Sequence, residues 1–117
     1  MTAISDWVRG GEHLVFQACP RCAARWYFQR RFCPRCGAAD PQERTSGGQG
    51  IVHAVTTIHR APDPGWRDAL PYTVVLVDLD DGFRAMGHGD ATLVIDDRVV
   101  VSIRTVAGRR LPWFAPV

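Results

Sequence analysis

The sequence predicts a mainly β protein in two parts, a small metal-stabilised module followed by a closed barrel of five strands. Three observations support this prediction: four cysteines form two Cys-Pro-Arg-Cys pairs, a glycine-rich segment follows them, and the periodic segments beyond it have the composition of strands. With 117 residues, 46% of them hydrophobic, the chain has room for one domain or two small modules. We place the first module at residues 1–45 and the barrel with its C-terminal tail at residues 46–117.

The N-terminal part is expected to contain a helical turn and a short hairpin. Ser5 and Asp6 can cap one turn of helix, and Gly10 can end it. Two short segments with several aromatic residues, 12–18 and 25–30, suit strands that lead into and out of the first cysteine pair.

The cysteine pairs are the most specific motif in the chain: Cys19, Cys22, Cys33 and Cys36. A Cys-x2-Cys turn directs two thiolates at one point, so two such turns complete a tetrahedral metal site. A module of about 45 residues buries too little apolar surface to fold alone, and a bound metal would supply the missing free energy. We predict a structural Zn²⁺ in a zinc ribbon, with no open position for a substrate. Iron in the same thiolate cage is the first alternative, and a redox dithiol is the second.

The second part is predicted to begin with a flexible link and to continue in strands. Residues 45–50, Thr-Ser-Gly-Gly-Gln-Gly, lack the lysine and the flanking strand and helix of a phosphate loop. Strand patterns then occupy residues 51–59, 72–79, 83–88, 98–106 and 110–114. Asp81-Gly82 is a tight-turn signal, and Pro112 restricts the last segment to an edge strand or a docking tail. Five short strands, with at most a helical turn near residues 91–95, suggest the OB-fold.

The residues offer no clear catalytic group. The cysteines are assigned to a metal, and the four histidines show no ligand spacing. His59, at the end of a strand, and His88, between two glycines, lie where a barrel presents groups to ligands, although surface or core histidines are the simpler interpretation.

Signals for a binding surface are stronger. Trp66 lies in the proline-rich segment 61–71, which predicts a stiff exposed loop. Either Trp66 anchors a partner protein, or it folds back over the end of the barrel. Trp113 and Phe114, in the proline-flanked tail, could add to an apolar patch. Residues 73–77 are apolar on both faces of their strand and therefore need cover on both.

Charge keeps a nucleic-acid module as the alternative function. The chain carries a net charge of +2, divided into +3 up to Thr45 and −1 beyond it. Arginines 21, 25, 30, 31 and 35 of the ribbon lie on either side of aromatic residues 26–28, and both ribbons and OB-folds can bind RNA or single-stranded DNA. The aliphatic, slightly acidic barrel argues against that function. No segment resembles a membrane span or a secretion signal, so we expect a soluble cytoplasmic protein.

The order of these parts resembles the zinc-ribbon/OB-fold proteins associated with acyl-CoA metabolism. The resemblance covers residues 6–116 and rests on the cysteine knuckles, the segment His59-Arg60-Ala61-Pro62, PYTVVLVDLDDGFRAMGHG and the terminal LPWFAP. It implies a rubredoxin-like zinc ribbon, an OB-fold barrel, and a non-catalytic partner of thiolase-fold enzymes or of hotdog-fold enoyl-CoA hydratases. Such a partner would be a required subunit of a thiolase, acyltransferase or aldolase, and would help to shape the acyl-CoA path.

Within that resemblance, certain residues are candidates for contact with the partner or with a coenzyme A thioester. Arginine is the only long cation in the chain and suits the phosphates of coenzyme A, which makes Arg109 and Arg110 further candidates. The principal candidates are His59, Arg60, Trp66, Arg84, His88, Trp113 and Phe114.

Overall fold

A computed structural model describes residues 6–60 and 64–117, and within them the predicted mainly β class is confirmed. Two short 3-10 helices, Trp7–Arg9 and Pro64–Ala69, accompany eight strands. The strands are β1 (Val15–Ala18), β2 (Arg25–Trp26), β3 (Gln42–Thr45), β4 (Gln49–Ile58), β5 (Tyr72–Leu79), β6 (Arg84–Gly89), β7 (Arg98–Val106) and β8 (Arg109–Pro116). Neither helix has the length or apolar character needed to cross a bilayer.

The N-terminal sheet has three antiparallel strands in the order β2-β1-β3, one more than the predicted hairpin. The missed strand is β3, whose sequence Gln-Glu-Arg-Thr has no apolar alternation, so only its pairing with β1 identifies it. The preceding helical turn is capped as predicted: the Asp6 carboxylate accepts a hydrogen bond from the Val8 amide at 3.2 Å. Gly10 ends the turn with a φ of 96°, in the left-handed region.

The connection between the two sheets is held in place, and the expectation of a flexible link was wrong. The Ser46 amide donates to the Leu14 carbonyl at 2.8 Å, and the Ser46 hydroxyl donates to the Asp81 carboxylate. The last glycine of the connection, Gly50, is the second residue of β4, and a Cβ there would lie 2.8 Å from Val77 Cγ1 and 2.9 Å from Leu79 Cα. This glycine therefore serves close strand packing. The division into units 1–45 and 46–117 stays a prediction.

The predicted five-stranded barrel is confirmed. Its strands close in the order β4-β5-β6-β8-β7, with antiparallel neighbours except for the parallel pair of β6 and β8. Strand β4 pairs with β5 from Gly50 to Ile58 and with β7 from Gln49 to Ile51, and a register shift between Val52 and Ala54 marks a β-bulge in its pairing with β5.

Strand β8 is a full member of the barrel, which corrects the expectation of an edge strand or a docking tail. It pairs with β7 from Arg109 to Pro116 and with β6 at Trp113 and Phe114. Pro112 lies just before the two residues that pair with β6, so its missing N–H does not interrupt that short parallel contact. Beside it, a Cβ on Gly87 would come within 2.8 Å of the Pro112 carbonyl oxygen, so the close approach of β8 requires a glycine.

One hydrophobic core joins the N-terminal sheet to the barrel. Phe16 of β1 stacks on Phe83 with ring centroids 4.6 Å apart, and Tyr27 stacks on the same ring at 5.7 Å. Arg25 donates to the Asp81 carbonyl in the same region. The N-terminal sheet, called the ribbon sheet below, therefore packs against the turn that connects β5 to β6. The other members of the core include fully buried residues of the barrel strands: Val52, Val75, Val77, Val99 and Phe114.

Candidate metal centre and binding surfaces

The structure brings together the four cysteines that the sequence analysis selected. Their Sγ atoms all lie within 4.8 Å of one another. Cys19 and Cys36 approach to 3.6 Å, and so do Cys22 and Cys33. Four thiolates at the usual Zn–S distance of about 2.3 Å in a tetrahedron would be about 3.8 Å apart, so these separations suit a shared metal ion. They are far longer than a disulfide bond, and all four cysteines are free.

The two cysteine turns have nearly the same backbone geometry. In the first turn, the Cys19 sulfur accepts N–H bonds from Arg21 at 3.4 Å and Cys22 at 3.5 Å. In the second, the Cys33 sulfur accepts from the corresponding amides at 3.3 Å and 3.4 Å. Each turn ends in the left-handed region, at Ala23 with φ 63° and at Gly37 with φ 79°. The repeated motif therefore builds two equivalent halves of one site.

Backbone donors favour the thiolate form at the first cysteine of each pair. The pKa of Cys33 is lowered to about 6: burial alone would raise it, but N–H bonds from Cys36 and Arg35 outweigh that effect. The pKa of Cys19 is also lowered, mainly by the N–H of Cys22. The pKa of Cys36 is raised to about 11, because the crowded neighbouring thiols outweigh an N–H bond from Ala38. Such crowding is relieved when a divalent cation replaces the protons.

A second group, the aromatic cluster, consists of Trp66, Tyr72, His88 and Trp113. Tyr72 and His88 are stacked with centroids 4.7 Å apart and planes 7° apart. Trp66 packs on both rings, at 5.5 Å from Tyr72 and 5.2 Å from His88. Trp113 approaches His88 at 6.4 Å. Trp66 is half-buried: its ring folds back over the barrel, and part of it stays accessible at the surface.

Polar groups border the aromatic cluster. The Trp113 indole donates to the Asp90 carboxylate at 2.8 Å, and Arg104 lies 5.0 Å above the same indole. Arg109 lies 5.4 Å above Trp66. Burial lowers the pKa of His88, whose Nδ1 is buried and has no hydrogen-bond partner among the described residues. The cluster therefore holds a neutral imidazole between aromatic rings.

The other candidates from the sequence are dispersed. Phe114 is 0% exposed in the core and offers no surface to a partner, because β8 is a barrel strand. Arg84 pairs with Asp78 at 2.6 Å. His59 and Arg60 are exposed after the end of β4, while Ala61 and Pro62 lie outside the described residues.

The two C-terminal arginines, Arg109 and Arg110, make different contacts. Arg110 donates to the carbonyls of Trp7 at 3.3 Å and Gly11 at 2.7 Å, which ties the first 3-10 helix to β8. Only Arg109 of the pair stacks in the aromatic cluster.

Sequence reasoning missed Tyr72, Asp90 and Arg104. The position of Tyr72 at the start of a strand, beside the proline-rich segment, was the available signal for this residue. Asp90 and Arg104 are brought to Trp113 only by the closure of the barrel.

A cavity of about 190 Å³ lies against the ribbon sheet, lined mainly by apolar residues that include Trp7, Phe16, Tyr27 and Phe28. The Trp7 indole donates to the Tyr27 hydroxyl at 2.8 Å beside it, and burial raises the pKa of Tyr27. Among the described residues that line this cavity, no nucleophile is paired with a base.

A module of four clustered cysteines packed against a closed five-stranded barrel defines the class of ribbon/OB-fold proteins. Comparison with known proteins makes the class specific. Residues 43–104, more than half of the chain, match the family described as ChsH2, C-terminal OB-fold domain, and the chain belongs to that family.

Two curated relatives are similar to parts of the chain. The first is 34% identical over 71 residues, a probable enoyl-CoA hydratase alpha subunit of Thermomonospora curvata. The second is 29% identical over 73 residues, a DUF35 domain-containing scaffold protein of Methanothermobacter thermautotrophicus. The matches span 61% and 62% of this chain but only 22% and 54% of the relatives.

Two solved structures share the fold. A chain of the Ltp2-ChsH2(DUF35) aldolase superimposes with a TM-score of 0.74 and 28% identity, over 89% of this chain and 84% of that one. A DUF35-family protein of unknown function from Sulfolobus solfataricus superimposes with a TM-score of 0.62, over 90% of this chain and 76% of that one. The second is only 9% identical and supports the fold alone.

Proposed function

We propose that this chain is a non-catalytic accessory subunit of an acyl-CoA enzyme with a thiolase-fold catalytic subunit. The observation that carries the proposal is the similarity over 89% of the chain to a component of the Ltp2-ChsH2(DUF35) aldolase. The names of the curated relatives, an enoyl-CoA hydratase subunit and a scaffold protein, support the coarser role of an accessory subunit of an acyl-CoA enzyme. The partner enzyme would form or cleave a C–C bond, as a thiolase, a synthase or a side-chain aldolase does.

In this proposal Cys19, Cys22, Cys33 and Cys36 hold a structural Zn²⁺. Support comes from the equivalent turns, the spacing of the sulfurs and the amides that favour thiolates. Zinc bound to four cysteines has no open position, so it supplies folding free energy and no substrate chemistry. Iron is the alternative occupant, and metal analysis of the purified protein distinguishes the two.

The aromatic cluster is the proposed place where this chain borders the acyl-CoA entrance of its partner. Rigid aromatic rings with stacked arginines are typical of residues that anchor interfaces. Arg104 and Arg109 carry the positive charge that the phosphates of coenzyme A would need. Weaker contacts would come from Arg84 and from two exposed residues that precede the Trp66 segment in sequence, His59 and Arg60. We place the resulting hetero-oligomer in the cytoplasm.

Co-purification tests the proposal. The tagged full chain is isolated from its source cells, and the acyl-CoA activity of any larger subunit is measured with and without it. We expect a complex whose catalytic subunit loses stability or activity when this chain is removed. A lone polypeptide that turns over a thioester, or a catalytic subunit unaffected by its removal, would contradict the proposal.

Two of the three aromatic residues 26–28 do not favour the nucleic-acid alternative, whereas Phe28 is 77% exposed. The Trp26 indole donates to Gln17 at 2.6 Å, and Tyr27 is packed on Phe83, so neither ring is free to stack on a base. Arg25 is likewise engaged with the Asp81 carbonyl. A binding titration with single-stranded RNA at two salt concentrations is therefore expected to show no specific complex.

A further inference from the structure

The outer side of strands β4, β5 and β6 carries an unusual apolar surface. The register places Leu76 of β5 between Ala54 of β4 and Met86 of β6, with Val74 in the next outward row. We call these four residues the outer apolar face. Met86 is 63% exposed, and the other three are half-buried.

This surface is a defined groove with an uncharged centre. A cavity of about 160 Å³ lies along it, lined by the outer apolar face and neighbouring residues of β4 and β5. At one end Asp78 pairs with Arg84 at 2.6 Å and lies 3.6 Å from His53. The Asp78 and Arg84 charges at this end of the groove therefore neutralise each other. At the other end Val74 pairs with His88 and leads into the aromatic cluster.

Among the described residues, the ribbon does not supply the cover that a sheet apolar on both faces needs. Its contacts with the barrel fall on the hairpin at Asp81 and Phe83, beyond the charged end of β5, and on Arg110 of β8.

We propose that the outer apolar face is the docking surface for the catalytic partner subunit, which presents an aliphatic, uncharged surface to it. The inference rests on the proposed function and adds the surface and its chemistry. The groove is continuous with the aromatic cluster, so one partner can cover both. Met86, on the β6 side of the groove, suits such a contact, because its flexible side chain adapts to the shape of a partner.

Two matched substitutions test the proposal. Met86→Asp places a charge in the groove, whereas Val94→Asp changes a residue of similar exposure, 60%, in the turn between β6 and β7. Affinity is measured by calorimetry with the thiolase-fold subunit that co-purifies with the wild-type chain. Met86→Asp is expected to weaken binding about tenfold or more, and Val94→Asp less than about threefold. Because the contact is apolar, wild-type affinity should change less than about threefold between about 50 and 500 mM NaCl.

Oxidation of Met86 gives a readout that needs no variant. Dilute peroxide converts an exposed methionine to its sulfoxide, and peptide mapping follows the rate, with added N-acetylmethionine amide as the reference. We expect Met86 to be oxidised readily in the lone chain and about tenfold more slowly in the complex. Slow oxidation in a lone monomer would mean that the chain covers its own groove and would overturn the inference.

The outcomes separate the two proposals. If wild-type protein binds the catalytic subunit and Met86→Asp binds equally well, the proposed function stands and the docking surface is wrong. If wild-type protein binds no catalytic subunit, both fail. If ultracentrifugation finds a dimer of this chain that Met86→Asp dissolves, the occupant is a second copy, and the inference is likewise overturned.

Discussion

Replacing Phe114 tests whether β8 is a barrel strand or a docking tail. The ring is 0% exposed and lies in the joint core with residues of β4, β5 and β7. Truncation of a fully buried phenylalanine to alanine costs about 3–5 kcal/mol, because the lost transfer free energy is followed by a cavity. Against a typical total stability of about 5–15 kcal/mol, Phe114→Ala should remove about a fifth or more of the free energy of unfolding.

The assay is chemical unfolding of the metal-loaded protein, followed by tryptophan fluorescence. Phe114→Leu retains part of the side-chain volume, so its free energy of unfolding should lie between those of the wild type and Phe114→Ala. This variant keeps the test useful if Phe114→Ala does not fold. Val117→Ala, at a site 72% exposed just after β8, is the control and should change stability by less than about 0.5 kcal/mol. A loss below about 1 kcal/mol for Phe114→Ala would refute the placement of this ring in the core.

Three further predictions follow from the metal centre and the aromatic cluster. A strong chelator should release about one metal ion per chain and unfold the ribbon sheet, seen as loss of near-ultraviolet circular dichroism; unchanged spectra would contradict a structural metal. Ala23 has a φ of 63°, which is unfavourable for alanine, so Ala23→Gly should stabilise the protein by about 0.5–1 kcal/mol in thermal unfolding. Gly37 has a φ of 79°, so Gly37→Ala should destabilise the protein by a similar amount. His88 has a lowered pKa, so the unfolded chain binds its proton first and stability should fall as pH drops below about 6.5. That fall should be smaller in His88→Phe, and equal pH profiles would show that His88 is not responsible.

The success of sequence analysis depended on whether a feature was local. The cysteine site was predictable because each half is formed within four residues, and Asp81-Gly82 marked the hairpin between β5 and β6 for the same reason. Strand β3 was missed because its polar residues are ordered by pairing with β1, which lies far away in sequence. Pro112 misled the analysis because a proline rule cannot show which side of a strand is left unpaired.

Glycine and tryptophan show the same limit at the binding surfaces. Gly50 was interpreted as part of a flexible link, whereas it permits two strands to approach closely. The sequence placed Trp66 in a loop but could not predict where its side chain packs. The rings that it contacts, Tyr72 and His88, come from different strands. Properties that depend on several distant segments became visible only in three dimensions.

The Phe83 ring, held by Phe16 and Tyr27 of the ribbon, has a consequence for how the protein would respond to metal scarcity. A ribbon that lost its ion would withdraw support from the turn that joins β5 to β6, and these two strands carry most of the exposed aliphatic groove. If the four cysteines hold a metal ion, its supply in the cell would influence how well this groove is formed, although none of the cysteines lines the groove.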